Sequence, residues 1–205
     1  MFGVSTSGTD RSDRILTVPN VLSVLRLLLI PLFLYLLLER EADGWALAVL
    51  LVSGATDWLD GKLARALDQS SRLGALLDPF VDRLSVVTTL LAFSLRGIIP
   101  WWVTAILIGR DLILAGTILV YRRRGLPPPD VIYLGKAATF VIMIALPVLL
   151  GATGDSQVAE VLSPIGHALL LWGTALYVWT GILYTYKAVL VGATVPVSDR
   201  AAHDA

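Results

Sequence analysis

Asp57, Asp60, Asp78 and Asp82 stand inside one continuous segment, DWLDGKLARALDQSSRLGALLDPFVD, that begins and ends within apolar sequence. An ionisable group in a membrane span costs roughly 2.5–3.5 kcal/mol even on the lenient insertion scale, so acids in such a place call for a function. Asp57, Asp60, Gly61, Ala64 and Arg65 recur at i, i+3, i+4, i+7 and i+8, and Gly74, Asp78 and Asp82 at i, i+4 and i+8. Each set predicts one face of a helix. The short stretch between them makes the two helices antiparallel neighbours, so their acidic faces can meet. Carboxylates that close repel one another unless a cation lies among them. Hard divalent ions take oxygen ligands, and Mg²⁺ completes its shell with water and phosphates. A pair of such ions suits phosphoryl chemistry. Arg65 adds a planar fork for phosphate oxygens, while Gly61 and Gly74 clear space for a bulky ligand. The same spacing would also serve buried salt bridges to Arg65, Arg72 and Arg83.

The elements that must carry these groups follow from composition. The 205 residues are 56% hydrophobic and 16% charged, with no cysteine and no formal net charge. Soluble domains carry about 25% charged residues, so the excess of apolar sequence points to a bilayer as solvent. Zero net charge gives no overall field for nucleic acid, and the missing cysteines exclude disulfides, a thiol nucleophile and thiolate metal ligands.

A span needs about 20 apolar residues. Six candidates are present: about 19–38, from 45 with a polar end, 74–95, 99–121, 134–150 and 161–191. The expected fold is therefore an all-α integral membrane protein with six transmembrane helices in one domain, residues 17–195. Residues 1–16 form a polar cytoplasmic segment without a signal-peptide core, and residues 196–205 a polar tail. With the N-terminus inside, eleven basic residues (Arg11, Arg14, Lys62, Arg65, Arg72, Arg122, Arg123, Arg124, Lys136, Lys187 and Arg200) fall on the cytoplasmic side, against Arg40 and Arg96 opposite. This bias puts both termini in the cytoplasm. Trp101 and Trp102 fit an interfacial belt on the far side, and Tyr177, Trp179, Tyr184 and Tyr186 fit lipid-facing or interfacial packing. His167, alone in the last span, fits a packed helix interface. Arg26 in the first span either faces a ligand cavity or neutralises a motif aspartate.

The motif reads D-x-x-D-G-x-x-A-R-x₈-G-x₃-D-x₃-D. It resembles the signature of the CDP-alcohol phosphatidyltransferases at every fixed position, and TVPNVLSVLR near the N-terminus extends the likeness. The resemblance implies a six-helix membrane enzyme, usually a homodimer, acting on CDP-diacylglycerol at the cytoplasmic leaflet. It implies Asp57, Asp60, Asp78 and Asp82 as ligands of two Mg²⁺ or Mn²⁺ ions, with Asp82 as general base. It implies Gly61, Arg65, Ser71 and Gly74 as contacts of the CDP-lipid, with Thr17, Val18, Pro19 and Asn20 closing the nucleotide pocket.

The acceptor is not written in the signature. Arg110-Asp111 in the fourth span and Gly135-Lys136-Ala137-Ala138-Thr139 opening the fifth are similar to the cardiolipin-forming branch of that family. That branch transfers the phosphatidyl group to phosphatidylglycerol, releasing CMP. Its phosphatidylglycerophosphate-forming branch, which takes glycerol 3-phosphate, tends to carry Arg-Glu-Phe and a more basic Gly-Lys-x-Lys-Thr. A single lysine suits a singly charged phosphodiester better than a doubly ionised phosphate, so Arg110 and Lys136 are the candidate acceptor contacts. The bland reading of Arg110-Asp111 is an ion pair orienting the fourth helix. A cation-coupled transporter would also put acids in spans, but it would show counterpart polar breaks in its second half, and none is seen. The expected location is a bacterial plasma membrane.

Overall fold

The computed structural model describes residues 18–67, 72–127, 133–154 and 156–194. These contain no strand and form six α-helices: α1 Val18–Leu34, α2 Asp43–Leu67, α3 Arg72–Leu95, α4 Trp101–Arg123, α5 Tyr133–Gly151 and α6 Gln157–Thr194. Four segments among the described residues are long and apolar enough to cross a membrane: Val21–Glu39, Trp101–Arg123, Tyr133–Gly151 and Gln157–Val191. α2 and α3, the helices that carry the acids, are 25 and 24 residues long. The six helices match the six expected segments, while the described residues identify four of them as spans. Many large apolar side chains point outward, Leu28, Leu112, Leu171 and Trp172 among them. Water would penalise such a surface, whereas lipid tails solvate it.

Local chemistry explains where the helices end. Pro31 lies inside α1, where its ring removes a backbone donor. Shortly after it the chain widens into a π-helical turn, Tyr35–Glu39, with the Arg40 N–H donating to the Tyr35 carbonyl at 3.1 Å. Gly97 closes α3 at φ 69° and Gly125 closes α4 at φ 66°, a backbone region that side chains disfavour. At the second of these the Leu126 N–H returns to the Tyr121 carbonyl at 3.0 Å. The start of α6 lies four residues earlier than its apolar run suggested. The Ser156 hydroxyl accepts from the Ala159 N–H at 3.1 Å, and Glu160 sits in the first turn, where it favours the positive end of the helix dipole.

The described residues divide into two compact units between Ala92 and Phe93. In the first, α1 packs on α2, with Phe33, Leu37 and Ala46 buried. In the second, α6 packs on both α4 and α5. A Cβ on Gly173 would meet Ile142 Cδ1 at 2.7 Å, and one on Gly166 would meet Leu149 Cδ2 at 2.8 Å. These two glycines let the α5 and α6 backbones approach closely, which is how membrane helices associate where apolar surface gains nothing by leaving lipid.

Candidate active site

The first unit gathers charge around α1. Ser23 and Arg26 are three residues apart on one face of a largely apolar helix, and they are 1% and 2% exposed. A guanidinium so deeply buried requires a partner. Arg26 Nη1 donates to Asp57 Oδ1 on α2 at 2.7 Å, and the Asp57 side chain is 42% exposed. Asp82 on α3 is exposed and lies within coulombic range of Asp57, Arg26 and Arg83. The acids at the two ends of the motif therefore share one electrostatic neighbourhood, with Arg26 between α1 and the acidic helices. Of the two readings of Arg26, the structure selects the counter-ion to a motif aspartate.

Asp60, Gly61 and Arg65 fall on α2, Gly74 and Asp78 on α3, and Val18, Pro19 and Asn20 on the first turn of α1. Their side chains lie outside the described set, and Thr17 and Ser71 lie outside the described residues altogether. Among the described side chains no three ligating groups converge; those of Asp60 and Asp78 are not described. The donors that are described still fit a divalent cation. Both are carboxylates, the hard oxygen type that Mg²⁺ and Mn²⁺ take. Arg26 engages Oδ1 of a half-exposed Asp57, and Asp82 is exposed.

The second unit carries a different cluster. Arg110 on α4 is 8% exposed, and its Nη1 bonds Asp111 Oδ1 at 3.2 Å. Its Nη2 donates to the Thr180 hydroxyl on α6 at 3.4 Å. Its Cζ sits 4.6 Å from the Tyr177 ring centre and 5.8 Å from that of Tyr184. The Arg110–Asp111 ion pair is thus present, but it is one part of a larger nest. Lys136, in the first turn of α5, is exposed and stands over the Tyr133 ring at 5.8 Å. Its chain neighbour Gly135 lies against Arg110, because a Cβ there would approach Nη2 at 3.3 Å.

Two sequence expectations require correction. Tyr177 and Tyr184 do not face lipid: they are 6% and 2% exposed, turned inward by the cation they cover. Trp179 and Tyr186 do face outward. The signal available was the polar and small stripe Tyr177, Thr180, Gly181, Tyr184 at i, i+3, i+4 and i+7, one face of α6. His167 is not packed in an interface either. It is exposed, and its Nδ1 bonds the Ser163 carbonyl of its own helix at 2.7 Å.

Comparison with known proteins agrees with the geometry. A Mycobacterium bovis relative is 53% identical over 161 residues, 78% of this chain and 77% of its own. The "Cardiolipin synthase (CMP-forming)" of Streptomyces coelicolor is 49% identical over 169 residues, 80% of this chain and 79% of that one. A "Probable phosphatidylglycerophosphate synthase" of Mycobacterium tuberculosis is 34% identical over 155 residues, 73% of each chain. The family model for CDP-alcohol phosphatidyltransferase matches residues 16–185. With the acid motif intact and its two end carboxylates in one neighbourhood, the chain belongs to the CDP-alcohol phosphatidyltransferase family.

Proposed function

We propose that this enzyme transfers the phosphatidyl group of CDP-diacylglycerol to phosphatidylglycerol, forming cardiolipin and CMP. The observation that carries the reading is the gap between relatives: 49% identity to a protein named cardiolipin synthase against 34% to one named phosphatidylglycerophosphate synthase. A lone Lys136, together with an Arg110 already shared with Asp111, supports a singly charged acceptor.

In the mechanism, Asp57, Asp60, Asp78 and Asp82 would hold Mg²⁺ or Mn²⁺, which supplies charge neutralisation at the pyrophosphate. Asp82 takes the proton of the acceptor hydroxyl as its oxygen bonds to the lipid-side phosphorus. The bond from that phosphorus to the CMP oxygen breaks, and CMP leaves with the electron pair. Arg65 opposes the charge that develops on the departing phosphate. Gly61, Ser71 and Gly74, with Thr17 to Asn20, seat the CDP moiety, and Arg26 holds Asp57 in place from behind. Arg110 and Lys136 bind the phosphodiester of the acceptor. The family likeness further supports six spans, a homodimer, and a bacterial plasma-membrane location with both termini cytoplasmic.

The test is an acceptor assay. Purified enzyme given CDP-diacylglycerol and Mg²⁺ is expected to consume phosphatidylglycerol and release CMP, and chelator should stop it. Product with glycerol 3-phosphate alone would assign the enzyme to phosphatidylglycerophosphate synthesis instead.

A further inference from the structure

Arg110 has more around it than an ion pair needs. A guanidinium presents five N–H donors, and the structure assigns one to Asp111 and one to Thr180. Nε is buried and has no hydrogen-bond partner among the described residues. Tyr177 and Tyr184 contribute ring faces to the cation, an attraction that strengthens when water is excluded. The Tyr177 hydroxyl also meets the Thr139 hydroxyl of α5 at 3.4 Å, which ties the nearer ring to a second helix. Two glycines complete the enclosure: a Cβ on Gly181 would come within 3.1 Å of Arg110 Cγ, and one on Gly135 within 3.3 Å of Nη2. Three helices thus fix the orientation of one cation while its buried Nε has no acceptor among the described residues. Buried donors without acceptors are costly, and an anionic oxygen satisfies them best.

We propose that Tyr177, Thr180 and Tyr184 are positioning residues that hold the Arg110 guanidinium oriented for the acceptor's phosphodiester. The inference rests on the acceptor role of Arg110 stated above and extends it to a stripe of α6 that carries no charge. Charge count agrees with the substrate class. Arg110 and Lys136 give two positive charges and Asp111 one negative, a balance that one monoanionic phosphodiester neutralises. A dianionic phosphate would leave one negative charge uncompensated.

The experiment measures KM for phosphatidylglycerol and for CDP-diacylglycerol separately, with the full-length enzyme in mixed micelles. Y177L and Y184L remove the ring faces, Y177F and Y184F keep them, and T180V removes the hydroxyl. Loss of a ring should raise the KM for phosphatidylglycerol by roughly tenfold, with kcat and the KM for CDP-diacylglycerol within about twofold. The phenylalanine variants should stay close to the parent, and T180V should raise the same KM by roughly threefold. A Leu variant whose acceptor KM is unchanged, or in which both KM values and kcat move together, overturns the proposal. If the leucine variants do not insert, T180V decides alone, and an unchanged acceptor KM overturns it. Wild-type turnover with glycerol 3-phosphate only would instead remove the cardiolipin reading. The same KM ratio, measured with that acceptor, would then still judge the nest.

Discussion

The acid cluster of the first unit and the arginine nest of the second solve opposite electrostatic problems. Around α1 to α3 the described motif carboxylates are the half-exposed Asp57 and the exposed Asp82, and the buried member is a counter-ion, Arg26. Around α4 to α6 the proposed acceptor-binding cation, Arg110, is itself buried, and rings, a hydroxyl and one carboxylate surround it. The difference follows from the ligands. Like-charged carboxylates are stable together only when open to water or a cation, so a metal-binding set stays accessible until its ion arrives. A lone guanidinium can be desolvated if π faces and hydrogen bonds replace its water, so an anion site can be organised in advance. One region is poised by repulsion and the other by packing.

The sharpest way to break this contrast is D82N, which keeps the shape and removes the proposed base. CMP release should fall by about 10²–10⁴-fold, the range for a positioned proton acceptor, while membrane insertion persists. Near-normal turnover would remove Asp82 from the chemistry. Next in size is R26A, which strips the buried counter-ion from Asp57. Turnover should drop by roughly tenfold or more, because an oriented carboxylate loses its anchor. The Mg²⁺ concentration for half-maximal activity should fall, since a competing positive charge is gone. A higher Mg²⁺ requirement would mean that Arg26 supports the metal rather than opposing it. The smallest effect belongs to G173A, which drives a methyl toward Ile142 Cδ1. Because the methyl also crowds Ile142 Cγ1 at 2.9 Å and Val141 Cγ1 at 3.3 Å, α5 must give way, at about 1–3 kcal/mol of stability, read as a lower unfolding temperature in detergent. The acceptor KM should rise by no more than a few-fold, because α5 shifts against α6 without touching the guanidinium.

Much of this was legible in the chain. The helix ends at Gly97 and Gly125 follow from local rules, since only a glycine takes those backbone angles cheaply. The acids were legible because charge inside apolar sequence has few bland explanations. Two kinds of feature were not. The first four residues of α6 escaped because Gln157, Val158, Ala159 and Glu160 are not a continuous apolar run, and it was a serine cap that fixed the boundary. Tyr177, near the middle of α6, and Tyr184 were misread because an aromatic ring suits lipid contact and the cover of a buried cation equally well.

Sequence alone determined that the molecule lives in lipid, that its acids lie on two helical stripes, and that their spacing is that of a phosphatidyltransferase. Periodicity and transfer cost are properties of the chain itself, so they need no partner helix. Only the tertiary structure decided that Arg26 belongs to Asp57 and that Arg110 belongs to a nest built from α4, α5 and α6. Charge pairing and cation–π contact act over a few ångströms. Which residues come that close, across separations such as the 70 positions from Arg110 to Thr180, is set by how the helices pack.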